Sequence, residues 1–124
     1  MEALVPSNIE VVDSYLNLLK SHDLTKAPFA DDIVYESPTL DTPIRGRQHV
    51  IRHMQAYLPA MHDVKVVRHI SEDDHVATLW KFYSAFGLSH LFQFVCIRDG
   101  LITDLRFFWD PRPFLEALGE ASDR

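Results

Sequence analysis

The sequence predicts an α+β fold, helices first and an antiparallel sheet after, and three observations carry that prediction. A capping box at Ser7 opens an amphipathic segment. The spacing of apolar residues changes from helical to alternating near Val64 and stays alternating as far as Trp109. Between these regions, residues 29–54 (FADDIVYESPTLDTPIRGRQHVIRHM) read as a strand, a Pro-rich crossing and a helix opened at Gly46. Helices on one face of a curved antiparallel sheet satisfy all three. A strand, a helix and a Pro-fixed loop also frame a mouth of the kind that holds small molecules.

Taken in order, Ser7 and Glu10 form the Ser-x-x-Glu box, with Pro6 just outside. Ile9, Val12, Leu16 and Leu19 make one stripe, Tyr15 adjoins it, and the helix is expected to end near Ser21. A short helical piece is expected over 23–29, broken by Pro28. The first strand spans 33–37 and stops at Pro38. Residues 39–45 cross over, and a helix over 47–58 turns Val50, Ile51, Met54 and Leu58 inward until Pro59 stops it. Strands follow over 64–70, 75–86, 88–98 and 101–109. Their turns are the acidic stretch 71–74, Gly87, and the pair Asp99 and Gly100, a strong hairpin signal. Asp110 and Pro111 suit the start of a last short helix carrying Phe114, Leu115 and Leu118 up to Gly119.

The length, 124 residues, suits one domain over 1–124 with a core of its own. A net charge of −6 argues against nucleic acid and anionic membrane surfaces as partners. A single cysteine, Cys96, excludes an internal disulfide and a cysteine-based zinc cluster; in FQFVCI it reads as a buried, inert thiol. The first ten residues lack a basic, then apolar, leader, and no apolar run approaches the ~20 residues that cross a bilayer. A cytoplasmic protein is therefore expected.

Alternation sorts the sheet into two sets. One is Trp80, Phe82, Leu91, Gln93, Val95, Ile97, Leu105, Phe107 and Trp109; the other is Leu79, Lys81, Tyr83, His90, Phe92, Phe94, Arg106 and Phe108. Both are apolar, yet a single sheet covered by helices needs one apolar face. The second face is expected to form a homodimer interface, with the C-terminal helix as the alternative cover. Lys81 and Arg106 are expected to meet acidic groups across that dimer.

Three phrases carry a family resemblance: FADDIVYESP, the Pro…Ile-x-Gly-Arg step into the third helix, and DGLITDLRFFWDP. From about Ile9 to Phe114 the chain resembles NTF2-like (cystatin-like) proteins, above all SnoaL-like polyketide cyclases and ketosteroid isomerases. The resemblance implies a cone, a bent sheet wrapped round a pocket with the N-terminal helices on its concave face, often dimeric. It implies an oxyanion-donating tyrosine at Tyr15. It places Ser37, beside Glu36, where isomerases keep a base aspartate, Gln93 where a second acid falls, and Phe107 where epoxide-hydrolase-like relatives carry an aspartate. SnoaL-like cyclases use a late aspartate, and Asp110 stands nearest.

The residue chemistry leaves alternatives at each position. Tyr15, with a phenol pKa of about 10, stays a protonated donor to a carbonyl, or is a core tyrosine bonded to backbone. Gln93 interrupts an apolar alternation, and an unpaired buried amide costs about 1–3 kcal/mol, so it is expected to face a pocket. Asp110 is either a partly buried acid or base with a raised pKa, or an ionised N-cap. Tyr35 rather than Glu36 is expected to point inward, because a lone buried carboxylate is costly. His49 and His53 share a helix face, but zinc wants at least a third ligand, so no metal is expected and His53 is left as an acid–base candidate or a surface residue. The substrate-binding wall is expected to comprise Tyr35, Ser37, Met54, Trp80, Phe82, Phe107 and Trp109.

The expected function is a cofactor-free enzyme for isomerisation or cyclisation of a small hydrophobic carbonyl compound. Tyr15 and Gln93 would polarise the carbonyl and Asp110 or His53 would move the proton. The alternative is a non-catalytic ligand-binding or dimerising accessory domain.

Overall fold

The computed structural model describes residues 7–85 and 87–112. Helix α1 (Asn8–Lys20) starts where the sequence places it. Ser7 Oγ accepts from Glu10 N at 3.2 Å, and the Glu10 carboxylate accepts from Ser7 N at 3.4 Å. Strand β1 (Phe29–Glu36) leads through residues 37–43 into a two-residue strand β2 (Ile44–Arg45) and helix α2 (Arg47–Gln55). The sheet then continues as β3 (His62–Glu72), β4 (His75–Ser84), β5 (Gly87–Arg98) and β6 (Leu101–Phe108). Strand order is β2-β1-β6-β5-β4-β3; all neighbours are antiparallel except β1 and β6, which run parallel.

Register shifts within the β1–β6, β3–β4 and β5–β6 pairings bend and twist the sheet. It is curved and open-edged. Helix α1 packs over β3 and β4, and α2 over β1 and β2, so both cover the concave face. The core lies between them, with Trp80, Phe82, Leu91, Val95, Ile97 and Leu105 buried from the sheet and Val12, Leu16, Leu19 and Val50 from the helices. The fold is α+β, with helices on the concave face of a curved, open sheet, as the sequence predicts. Among the described residues no helix is long and apolar enough to cross a membrane.

Several boundaries depart from the sequence expectation for identifiable reasons. No helix forms over 23–29. The Asp23 carboxylate accepts from Thr25 N at 3.0 Å and Thr25 Oγ1 at 2.7 Å, a local turn that competes with helix. Helix α2 ends at Gln55, not at Leu58. Pro59 has no N–H to return to the Gln55 carbonyl, and the chain tightens into a 3-10 turn over Leu58–Ala60 that includes the proline. The two-residue β2 is too short to leave a periodic signal. At the β5–β6 turn Asp99 and Gly100 both take positive φ, 52° and 76°, which a type I′ hairpin requires. The expected final helix, with Phe114, Leu115 and Leu118, lies outside the described residues, as does Phe86.

Candidate functional site

A cavity of about 40 Å3 lies between the concave face, the β1–β2 crossing and the segment after α2. Its walls are Tyr35, Ser37, Thr39, Tyr57, Met61, Phe82, Leu91, Phe107 and Trp109. At ~10–15 Å3 per water, that is room for about three waters. Ligand clefts usually run to ~300–1,000 Å3, so a larger guest requires wall residues to move.

One wall is polar. Ser37 hydrogen-bonds with Tyr35 and lies 3.1 Å from the Thr39 hydroxyl, giving a row of three hydroxyls. Burial pushes the Tyr35 phenol well up, the Ser37 bond partly offsets this, and neighbouring Tyr57 adds to it. Tyr35 therefore stays protonated at neutral pH. The opposite walls are aromatic and aliphatic: Tyr35 packs edge-on against Phe107 at 5.3 Å between centroids, and Phe82 meets Trp109 at 6.1 Å.

His53 sits against this wall. Its ring lies 5.3 Å from Tyr35 and 5.1 Å from Tyr57, with both of which it makes tilted or edge contacts. Its Nε2 is buried and has no hydrogen-bond partner among the described residues. Desolvation lowers its pKa from the ordinary value of 6.5, so the imidazole is neutral at pH 7. His49, one turn earlier, is exposed. Among the described residues no group of three or more His, Cys, Asp or Glu is placed to hold a metal ion.

Below the cavity lies a second polar layer. Trp80 Nε1 donates to Gln93 Oε1 at 3.1 Å, and both residues are fully buried. Gln93 Nε2 and the Tyr15 hydroxyl are also buried, and neither has a partner among the described residues. Burial, with Tyr35 nearby, raises the Tyr15 pKa well above its ordinary value. Gln93 is paired in register with Phe107, a wall residue, yet neither Gln93 nor Tyr15 lines the cavity. Met54 and Trp80 likewise belong to the core around it.

Of the residues singled out in the sequence, Tyr35, Ser37, Phe82, Phe107 and Trp109 therefore come together on the wall, with His53 against it. Asp110 does not join them. It is exposed, and its carboxylate accepts from Arg112 Nε and a terminal guanidinium nitrogen at 2.9 and 2.8 Å. It also accepts from Arg112 N at 3.1 Å, as an N-cap does. The Arg112 contacts lower its pKa to about 2, where an acid–base role needed a raised one. Glu36 points outward as expected, but it pairs with Arg106 of its own chain at 2.7 Å, correcting the expectation that Arg106 waits for a partner's acid. Sequence reasoning missed Thr39, Tyr57, Met61 and Leu91. Tyr57 follows His53 by four residues, the spacing that stacks two rings on one helix face, and that signal was available.

A different polar chain runs under α1. His69 Nε2 lies 2.8 Å from Asp13 Oδ1, and His69 Nδ1 lies 2.7 Å from Thr78 Oγ1, which is fully buried. It ties α1 to β3 and β4, away from the cavity.

With this geometry in place, comparison with known proteins identifies the family. Residues 12–105 match the model of the SnoaL-like domain. The chain belongs to the SnoaL-like domain family. In structure this SnoaL-like domain is similar to a Kribbella flavida protein at TM-score 0.82 and 18% identity, covering 92% of this chain and 95% of that one. It is similar to an NTF2-like protein from Cytophaga hutchinsonii at TM-score 0.79 and 15% identity, covering 93% and 99%. It is similar to a steroid delta-isomerase from Pseudomonas aeruginosa at TM-score 0.77 and 21% identity, covering 96% and 91%. Identities this low speak to the fold alone. No curated protein matches the SnoaL-like domain in sequence.

Proposed function

We propose that this SnoaL-like domain is a cofactor-free cytoplasmic enzyme that moves a proton on a small hydrophobic carbonyl compound, in isomerisation or cyclisation chemistry. The observation that carries the reading is His53: a neutral imidazole whose buried Nε2 has no partner among the described residues, set against two tyrosines of a cavity with one hydroxyl-bearing wall and otherwise apolar ones. Neutral imidazole takes a proton from the carbon beside the carbonyl, and the electron pair moves to oxygen as an enolate. The Tyr35 hydroxyl, held protonated by burial, donates to that oxygen. Where the compound carries a β,γ double bond, the enolate extends into a dienolate and the imidazolium returns its proton to the γ-carbon, which moves the double bond into conjugation and completes an isomerisation. General acid–base catalysis of this kind is worth about 10²–10⁴-fold. Tyr15 and Gln93 serve as the polar floor behind the wall, and their unpaired groups are available if a ligand opens the cavity.

The test is hydrogen–deuterium exchange at the α-carbon of cyclohexanone and acetone in D2O, followed by proton NMR. Catalysed exchange that His53→Phe abolishes and Asp110→Asn leaves intact is the expected result. Exchange that never exceeds the buffer rate, or that survives His53→Phe, overturns the proposal. A second reading, a non-catalytic ligand-binding domain, is favoured by one observation: no carboxylate among the described residues lines the cavity. Ketone-dependent quenching of Trp109 fluorescence without exchange would select it.

A further inference from the structure

The cavity is smaller than the compounds proposed for it, so part of its wall has to move, and most of the wall is built to stay. Phe82, Leu91 and Phe107 stand on paired strands in the core. Tyr35 packs against Phe107 and His53. Ser37 and Thr39 bond through their hydroxyls. Met61 is set differently. It is buried, between the 3-10 turn over Leu58–Ala60 and the start of β3. Just past it Asp63 takes a φ of 53°, and the β3–β4 register shifts between His62 and Lys65, so the ladder is interrupted there. The Met61 side chain is unbranched, with three rotatable bonds, and such a chain changes rotamer at low cost.

What lies beyond Met61 decides what its movement does. A surface depression of about 340 Å3 is lined by Lys20, His22, His62, Asp63, Val64 and Met61 itself. Met61 is therefore a wall of both spaces, and with its side chain turned aside they join into a cleft within the ~300–1,000 Å3 usual for ligands. The backbone around it is fixed. His22 Nε2 lies 2.8 Å from the Met61 carbonyl and donates to it when it carries the proton. The His22 carbonyl accepts from Gln55 Nε2 at 3.2 Å, and Gln55 Oε1 accepts from Leu24 N at 2.6 Å. The loop after α1, the end of α2 and the Met61 backbone thus form one hydrogen-bonded collar. Ser37 also borders an outer hollow, with Leu40, Asp41 and Pro43, but a serine side chain is too short to open a passage by turning.

We infer that Met61 is the gate of the cavity. Guests enter from the depression beside Lys20 and His62, the Met61 side chain turns aside to admit them, and its bulk sets the largest guest that passes. His22 is a positioning residue that holds the gate's backbone in place. The inference rests on the reading of the cavity as a site for small hydrophobic compounds, and it holds whether or not the bound compound reacts.

Line shapes of the Trp109 indole signal, followed by NMR as cyclohexanone or benzene is added to the full chain, give the entry and exit rates. Benzene has no carbonyl, so its entry is read apart from the chemistry. Met61→Phe, a stiffer side chain, should slow entry of both compounds about tenfold. His22→Ala leaves the cavity wall intact; it should speed entry and exit alike, about fivefold, and keep the affinity within about twofold. His22→Gln, whose amide can donate to the same carbonyl, should bring both rates back toward wild type. Met61→Ala should admit 4-tert-butylcyclohexanone, which the wild type excludes. Rates indifferent to both Met61→Phe and His22→Ala overturn the inference. So does a Leu40→Trp chain that slows entry as much as Met61→Phe, which would put the opening at Ser37. Gate-dependent rates in a protein that never catalyses α-proton exchange would overturn the catalytic reading and leave the gate standing.

Discussion

His69 and His53 both pack between helix and sheet, and they are treated differently. His69 has both ring nitrogens engaged, one by Asp13 on α1 and one by Thr78 on β4. His53 has a buried Nε2 with no partner among the described residues. A satisfied imidazole holds a helix to a sheet. An unsatisfied one is held against its environment by the fold around it, and it gains a partner only when something enters. The contrast separates the half of the concave face that stabilises the protein from the half where we propose the chemistry.

The largest effect that would sharpen this contrast is on turnover. His53→Phe should lower catalysed α-proton exchange by about 10²–10⁴-fold and leave urea-induced unfolding unchanged or shifted to higher urea, since it removes a buried polar atom with no partner. His69→Ala should do the reverse. It strands the Thr78 hydroxyl inside and should cost about 1–3 kcal/mol of unfolding free energy, while exchange per folded molecule stays near wild type. A double-mutant cycle with Thr78→Val should show that the two losses are not additive. If His69→Ala abolished exchange as fully as His53→Phe, the division between the two regions would fail.

A smaller effect concerns pH. The His53 pKa is lowered on folding, so between that value and 6.5 the unfolded chain holds a proton that the folded chain does not. Stability therefore falls as pH drops through this window and is flat above it. His53→Phe should reduce that slope in urea titrations across pH 5–7. Smallest of all is Asp110→Asn. Exposed and paired with Arg112, Asp110 should affect neither exchange nor its pH profile.

The sheet was legible because alternation is a strong signal once one face must be buried. Trp80, Phe82, Leu91, Gln93, Val95 and Ile97 all fall inside, while Leu79, Tyr83, Phe92 and Phe94 fall outside. The capping box and the Asp99 and Gly100 turn were legible because each is settled by a few adjacent residues. Asp110 shows the limit of such reading. Its environment is decided by Arg112, two residues on, and by which way the chain leaves β6; no pattern in the sequence encodes the second. Met61 reaches the cavity because Pro59 ends α2 early and turns the chain back over the sheet, a tertiary consequence that helical periodicity does not contain. Tyr15 and Gln93 were recognised as buried polar residues, but the distance between a floor and a wall depends on the curvature of the sheet.

The most direct test is a nitrogen-15 NMR titration that follows His53 alone and with cyclohexanone present. The account predicts an imidazole that titrates below 6.5 and whose Nε2 resonance shifts when the ketone is added. A His53 that titrates at or above 6.5, or that is indifferent to the ketone at saturation, would contradict it.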